Sequence, residues 1–261
     1  MTGLAETFAA ARSEGRGVLV GYLPAGAAAV ETFTAMVQAG VDVVEVGWPY
    51  SDPVLDGPVI QEAVERALAA GTTPADVLRT VEGVARTGVP AVVMTYWNPV
   101  EQYGVDRLAA DLAAAGGVGM ITPDLTPEEA GPWLAAAAAH RLDPVFLVAP
   151  SSTDERVTRI AGLCRGFVYA TSVMGVTGAR QRTSTAAPVL VRRVRAVTDL
   201  PVGVGLGVSS ADQAAEVAGY ADGVIVGSAF VRAVLEAPDA APAAAAKLAA
   251  ELAAGVRRPG H

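Results

Sequence analysis

The chain is poor in the residues that most often build metal sites and covalent catalytic centres. Among its 261 residues there is one cysteine, Cys164, and there are two histidines, His140 and His261. One cysteine excludes a disulfide framework and a cysteine-based zinc site. Two histidines this far apart exclude a multi-histidine metal centre and most histidine-dependent catalysis. Lys247, the only lysine, lies in an alanine-rich tail, so a Schiff-base enzyme is not expected.

Positive charge and long apolar runs are also scarce. The chain has 27 acidic and 19 basic residues and a formal net charge of -8, so we expect no nucleic-acid partner. No apolar run reaches the roughly 20 residues that cross a bilayer. The first residues do not combine a basic region with an apolar stretch, so no secretory signal is expected. These features predict a cytoplasmic protein that binds no membrane.

Short apolar runs, rich in valine and isoleucine, recur along the chain. Each is too continuous for a half-exposed strand, which is typical of strands buried on both faces of a parallel sheet. Between the runs lie amphipathic helical patterns, such as residues 58–70, where Pro58 suits a first helical position. The eight runs are residues 18–23, 41–47, 90–96, 118–122, 144–149, 167–171, 201–206 and 221–226.

This alternation predicts the architecture. Eight strand–helix units in about 250 residues are the size of a TIM barrel. We therefore predict a single (β/α)8 TIM-barrel domain over residues 1–261, with an extra N-terminal helix. A doubly wound sheet would use the same alternation, but the GxGxxG turn expected after its first strand is absent after Leu23.

A polar segment follows the second apolar run and offers carboxylates for acid–base chemistry. Glu45 lies near the end of an otherwise apolar strand, where loss of hydration would raise the pKa of its carboxyl group. Barrel active sites collect at such strand ends, although a purely structural glutamate is the alternative. Asp56 is a candidate partner for Glu45, or it simply favours the start of the next helix. Asp52, within Ser-Asp-Pro, is expected to be a turn residue.

Glycine-containing segments follow the last three runs. Residues 174–183 form a long polar connection that we interpret as a lid at the barrel mouth, the alternative being a disordered connection. Residues 205–209 and 226–230 bring glycines and a helix start, which together favour phosphate binding. Ser228 alone would fit a plain N-cap. Loops after strands seven and eight are the usual phosphate site of this fold, so the residues predict a phosphate-ester enzyme without metal or covalent lysine.

Residues 45–61 read Glu-x-Gly-x-Pro-x-Ser-Asp-Pro-x-x-Asp-Gly-Pro-x-Ile-Gln without a break. This is the pattern of the tryptophan synthase alpha chain family, which the sequence resembles from about its first strand to its last helix. Departures from the family pattern occur at Ala27-Ala28, Trp48 and Tyr50. Shorter matching segments are residues 94–99, 123–125, 128–129, 175–178 and 205–210.

The resemblance implies a lyase of tryptophan biosynthesis. Its reaction would be the retro-aldol cleavage of indole-3-glycerol phosphate to indole and glyceraldehyde 3-phosphate. Glu45 and Asp56 match the catalytic glutamate and aspartate of the family. The phosphate-binding positions implied are Gly178, Gly207, Gly227 and Ser228. The positions implied around the substrate or the glutamate are Tyr22, Ile60, Tyr96, Ile121, Tyr169 and Thr177.

The resemblance also implies a partner. In the family a pyridoxal-phosphate beta chain receives the indole, so this chain would need no cofactor and no metal of its own, and an alpha2-beta2 heterotetramer is expected. The partner interface is expected at Asp52, Pro53, Asn98 and Gly175.

Three alternatives remain for the function. One is a stand-alone lyase that releases free indole, and another is a catalytically silent regulator of a beta chain. Intact Glu45 and Asp56 argue against the silent regulator. The third is an isomerase of a phosphorylated sugar-like substrate, which would commonly need a lysine or histidine at a strand end.

Overall fold

Parallel strands form the centre of the molecule. The computed structural model describes residues 3–171, 186–205 and 207–258. Every strand pair in the sheet is parallel, and the order is β5-β4-β3-β2-β1-β9-β8-β7-β6. The strands are β1 Val18–Pro24, β2 Val43–Gly47, β3 Ala91–Met94, β4 Gly119–Ile121, β5 Asp143–Val145, β6 Leu147–Val148, β7 Val168–Thr171, β8 Val202–Gly205 and β9 Gly223–Val226.

The two ends of this order are halves of one apolar run. β5 and β6 are consecutive in the chain and separated only by Phe146. The Phe146 amide donates to the Cys164 sulfur at 3.4 Å rather than to a neighbouring strand. The chain therefore closes the sheet into a barrel at this point. The eight predicted strands are confirmed, with the fifth divided in two.

Helices follow the strands, and the sequence signals at their starts act as expected. The Thr73 hydroxyl accepts from the Asp76 amide, and Asp76 Oδ2 accepts from the Thr73 amide at 2.8 Å. Pro58 occupies the first turn of its helix. The helices are α1 Leu4–Ser13, α2 Val30–Gln38, α3 Pro58–Ala69, α4 Pro74–Ala85, α5 Trp97–Tyr103, α6 Val105–Ala114, α7 Gly131–His140, α8 Asp154–Leu163, α9 Ala186–Arg195, α10 Ala211–Ala218, α11 Ser228–Glu236 and α12 Ala241–Val256, with a 3-10 turn at Pro238–Ala240.

Apolar side chains fill the barrel, and α1 closes its N-terminal end. Phe8 on α1 lies 5.5 Å from Phe167 between ring centroids, and it is almost fully buried. Burying a side chain of this kind contributes about 1.5–3 kcal/mol, so the predicted extra helix is part of the core. These apolar side chains therefore keep water out of the N-terminal end of the barrel interior. The inner layer comprises Leu4, Phe8, Ala11, Val18, Val20, Val43, Val92, Ile121, Val145, Phe167 and Ile225.

Candidate active site

Glu45 is the one buried carboxyl group on the inner wall that the described residues show. It shares its face of β2 with Val43 of the inner layer, since side chains alternate along a strand. Its neighbours in register are Tyr22 on β1 and Val92 on β3. The residue is only 2% exposed, and its Oε1 has no hydrogen-bond partner among the described residues. Burial raises the pKa of Glu45 to about 8, so the group carries a proton at neutral pH.

Two buried tyrosine side chains, Tyr22 and Tyr169, each have their hydroxyl group beside a glycine. A Cβ atom on Gly47 would approach the Tyr22 hydroxyl oxygen to 2.5 Å, and one on Gly205 would approach the Tyr169 hydroxyl oxygen to 2.5 Å. Both glycines therefore leave the space that the rings occupy. Burial raises the pKa of Tyr22 and of Tyr169, and the charge of Asp56 raises that of Tyr22 further. Above its own pKa Glu45 is ionised, and its charge then adds to both shifts. The two phenols remain protonated donors.

Asp56 is held in place by its neighbours in the loop between β2 and α3. The Tyr96 hydroxyl donates to Asp56 Oδ1 at 3.0 Å and accepts from the Leu55 amide at 3.0 Å. The Gln61 side chain donates to the Asp56 carbonyl oxygen at 2.8 Å. Burial raises the pKa of Asp56, and the bond from Tyr96 partly offsets that rise. Tyr22 is the neighbour of Glu45 in register, and the charge of Asp56 also acts to raise the pKa of Tyr22.

Two residues without an assigned role support Tyr96. The Tyr50 ring lies 5.6 Å from the Tyr96 ring between centroids, and the Asn98 amide donates to the Tyr50 hydroxyl at 3.1 Å. Both carboxylate oxygens of Asp124 accept from the Trp97 amide, at 2.9 and 3.1 Å, and so fix the start of α5 directly after Tyr96. Tyr50 and Asp124 both lie just beyond strand ends, and Asp124 also belongs to the segment 123–125 that matches the family pattern.

Backbone groups at the ends of β8 and β9 complete the mouth. α11 begins at the buried Ser228, and the first-turn amides of a helix have no acceptor within the helix. Gly227, just before it, packs against the Tyr22 ring, where a Cβ would lie 3.3 Å from Cδ1. Gly207 has φ +70, a left-handed conformation that favours glycine. Tyr22 thus lies beside Gly227 at the start of α11 and, in register, beside Glu45 on β2.

The remaining predicted positions lie in different surroundings. Ile121 ends β4 inside the apolar layer, and Ile60 is buried on α3. Asp52 is exposed and accepts from the Ser51 hydroxyl at 2.6 Å. Pro53 is half-buried and Asn98 is exposed. The predicted residues Gly175, Thr177 and Gly178, with the lid interpreted at residues 174–183, lie outside the described residues.

Within residues 3–171, 186–205 and 207–258, no three His, Cys, Asp or Glu side chains cluster as metal ligands. No helix in those ranges is long and apolar enough to cross a membrane. What the mouth does offer is a protonated buried carboxyl, a second tethered carboxyl and a helix start whose first-turn amides have no acceptor within the helix. This combination defines an acid–base enzyme of the (β/α)8 barrel class.

Comparisons with known proteins give the family. Residues 8–257 match the family model described as tryptophan synthase alpha chain. A tryptophan synthase alpha chain from Acidothermus cellulolyticus is 66% identical over 99% of this chain and 98% of its own. One from Salinispora arenicola is 64% identical over 90% and 89%. A structure of Mycobacterium tuberculosis tryptophan synthase superposes with a TM-score of 0.93 at 56% identity, covering 98% of both chains.

The chain belongs to the tryptophan synthase alpha chain family. The reaction of this family is the cleavage of indole-3-glycerol phosphate to indole and glyceraldehyde 3-phosphate, so the chain is a lyase of tryptophan biosynthesis. The family and the barrel expected from the residue pattern are both confirmed.

Proposed function

We propose that Glu45 moves the protons of this cleavage and that Asp56 stabilises the charge that develops on the indole ring. The bond between the ring carbon and the glycerol carbon breaks only after that ring carbon gains a proton. The ring nitrogen then carries positive charge, and the hydroxyl beside the breaking bond loses its proton to become the aldehyde. The electron pair of the broken bond restores the aromatic ring. One proton enters and one leaves, so a single carboxyl group can serve both steps.

The observation that carries this proposal is the state of Glu45. A buried carboxyl with a pKa of about 8 is protonated near neutral pH, yet it is close enough to ionisation to give its proton up. Its Oε1 has no partner among the described residues, so it is free to meet a substrate. Proton transfer by such a positioned group typically contributes 10²–10⁴-fold to a rate, as an order of magnitude.

Asp56 suits the second role because it is anchored and less deeply buried. The hydroxyl of Tyr96 favours its charged form, which can then accept the indole N–H and face the developing positive charge. Electrostatic contacts of this kind act only where charge appears in the transition state.

The phosphate of the substrate belongs at the start of α11. We propose that backbone amides of Gly178, Gly207, Gly227 and Ser228 hold it, together with the helix dipole. No side chain of the described residues caps the start of α11, and the backbone at Gly207 is left-handed; both observations support this assignment for the described members of the set. The side chains of Tyr22, Ile60, Tyr96, Ile121, Tyr169 and Thr177 would surround the indole and glycerol parts.

Substitution of Glu45 by glutamine tests the central role. The amide keeps the shape of the side chain and cannot supply the proton, so Glu45→Gln should abolish indole release while the substrate still binds. Asp52→Asn, assayed like Glu45→Gln on the isolated chain, is the matched control, because it makes the same change from carboxylate to amide on an exposed turn residue. If Glu45→Gln keeps most of the indole-releasing activity in a direct assay, the mechanism is wrong.

A beta chain is the proposed partner, in an alpha2-beta2 heterotetramer whose pyridoxal phosphate belongs to the beta chain. Val54, in the loop that also holds Asp52 and Pro53, is a 70% exposed apolar side chain that a partner would cover. Asn98, on the same proposed interface, is connected to Asp56 by a chain of contacts. It donates to the Tyr50 hydroxyl, the Tyr50 ring packs against the Tyr96 ring, and the Tyr96 hydroxyl donates to Asp56. A cytoplasmic location, expected from the family's role in amino-acid biosynthesis, is part of the same proposal.

Mixing the two chains tests this assembly. A bound beta chain should raise the lyase rate by more than tenfold, which is about 1.4 kcal/mol of barrier. An unchanged rate with no complex on a sizing column would instead indicate the stand-alone lyase.

A further inference from the structure

A second polar cavity lies at the opposite end of the barrel from the mouth. It has a volume of about 230 Å³ and is bounded by α1, the end of α9, the turn between α10 and β9, and the end of α12. The residues just before β1 and β9 line it, which places it at the N-terminal ends of the strands. Its charged and polar side chains are Arg12, Arg16, Arg195, Tyr220, Asp222 and Arg258.

More basic than acidic side chains line the cavity, although the chain as a whole is acidic. Four arginines and one aspartate line it, against 19 basic and 27 acidic residues in the chain. Burial acts to raise the pKa of Asp222, but the Val202 amide and the guanidinium groups of Arg195 and Arg12 hold that pKa below its usual value. Asp222 is therefore ionised at neutral pH. The lining side chains sum to a charge of about +3, but Glu14, Asp42 and Asp212 pair with Arg16 and Arg258 from outside the lining and offset it. The excess positive charge is therefore local, at Arg12 and Arg195 beside the single carboxylate of Asp222.

Two of the arginines keep donors to spare. Arg12 and Arg195 each use one terminal nitrogen on Asp222, at 3.1 Å in both cases. A guanidinium carries five N–H groups, so most donors of both side chains have no partner among the described residues. Asp222 holds the two cations beside each other: its Oδ1 accepts from Arg12 and its Oδ2 accepts from Arg195. The Val202 amide also donates to Oδ2.

The other two arginines differ in their roles. Arg16 is mostly buried and is fixed by Glu14 at 2.6 Å and by Asp42 at 3.0 Å, so it belongs to the framework. Arg258 pairs at 2.6 Å with Asp212, which is 87% exposed and does not line the cavity. An exposed ion pair of this type is weak and can exchange for a better ligand. Arg258 is therefore the third cation that an anion can recruit.

Tyr220 also lines the cavity. Its hydroxyl oxygen is buried and has no hydrogen-bond partner among the residues that the structure describes. Burial, with the charge of Glu216, raises the pKa of Tyr220 to about 12, so the hydroxyl keeps its proton. Buried donors are almost always paired, and an unpaired one beside a cationic cavity lacks an acceptor.

We propose that this cavity binds a small oxyanion of the phosphate type between Arg12, Arg195 and Arg258, with Tyr220 as a further donor. The proposal does not depend on the chemistry at the mouth, because no cavity residue is among those assigned to the cleavage. The walls come from both α1 and α12, so a bound anion ties the two ends of the described chain to the barrel. A ligand that binds only the folded state stabilises it by mass action.

Inorganic phosphate is the probe, titrated by calorimetry at constant ionic strength and followed in parallel by thermal unfolding. The wild-type chain should show a phosphate site that is at least tenfold weaker in the double variant Arg12→Gln/Arg195→Gln. Arg86→Gln is the matched control, since Arg86 is an exposed arginine paired with Glu82 on α4. It should keep the wild-type site and the full rise in Tm with phosphate.

Two milder variants keep the test decisive if the double variant folds poorly. Tyr220→Phe and Arg258→Gln leave the bonds to Asp222 intact, and each should weaken phosphate binding severalfold. Indole release should be the same in the wild type, Tyr220→Phe and Arg258→Gln, which separates this site from the mouth. Equal phosphate affinity and an equal rise in Tm in the wild type and every cavity variant would overturn the proposal. That result would mean that the arginines only pin α1 and α12 to the barrel.

Discussion

Removal of one hydroxyl group from Tyr96 tests how the mouth holds Asp56. In the wild type this oxygen joins the Leu55 amide to Asp56 Oδ1, with both bonds at 3.0 Å. Tyr96→Phe keeps the ring and its packing against Tyr50 but removes both bonds. Asp56 then loses its tether and the hydrogen bond that favours its charged form.

The magnitude follows from the kind of bond that is lost. A hydrogen bond to a charged group contributes about 1.5–3 kcal/mol. At about 1.4 kcal/mol for each factor of ten, kcat/KM should fall roughly 10- to 100-fold. The pKa of Asp56 should also rise, since Tyr96 is the group that lowers it. Because the mechanism needs the Asp56 anion, the acidic limb of the kcat/KM profile should move to higher pH.

A matched tyrosine shows whether the effect belongs to the mouth. The Tyr103 hydroxyl donates to Asp111 Oδ2 at 2.6 Å, outside the set assigned to the reaction. Tyr103→Phe removes a bond of the same kind and should leave both the rate and the acidic limb nearly unchanged. Steady-state indole release across the pH range measures both variants. A Tyr96→Phe enzyme with wild-type kcat/KM and an unshifted acidic limb would refute the role given to this hydrogen bond.

Four further outcomes follow from the same geometry. Asp56→Asn should lower kcat on the order of 100-fold in a direct indole assay, and near-normal kcat would remove Asp56 from the mechanism. Gly47→Ala should impair activity, since its Cβ would lie 2.5 Å from the Tyr22 hydroxyl; unaltered kinetics would show that Tyr22 can move freely. Gly227→Val should raise KM more than it lowers kcat, and an unchanged KM would place the phosphate elsewhere. Between about pH 4.5 and 8 the folded state keeps the Glu45 proton, whereas the unfolded state has released it. The free energy of unfolding should therefore fall as the pH rises through this window, by up to about 1.4 kcal/mol per pH unit relative to Glu45→Gln. Urea unfolding of both proteins measures this difference, and parallel pH dependences would contradict it.

Most of the fold could be predicted because the strands of a parallel barrel appear in the sequence as continuous apolar runs. All eight runs became strands, since a strand buried on both faces cannot show polar alternation. The break at Phe146 could not be predicted. It depends on a hydrogen bond to the sulfur of Cys164, which is 18 residues further along the chain.

Some features of the candidate site could likewise be predicted from the sequence, and others could not. Glu45 was predictable as a carboxyl of raised pKa, because its strand neighbours already fix its apolar surroundings. The bond between Tyr96 and Asp56 joins positions 40 residues apart and exists only after two loops have met. The roles of Gly175, Thr177 and Gly178 stay predictions, since these residues lie outside the described ranges. The cavity at the far end draws on both ends of the described chain, and no local pattern indicates it.

The protonation of Glu45 is the claim on which the mechanism depends most directly. Infrared difference spectroscopy of the free enzyme, wild type minus Glu45→Gln, can follow the carbonyl band of the protonated acid as the pH rises. The account predicts that this band is present at pH 7 and disappears with a midpoint near 8. A midpoint near the ordinary glutamate value of about 4.3 would show an ionised side chain at neutral pH and would contradict the mechanism.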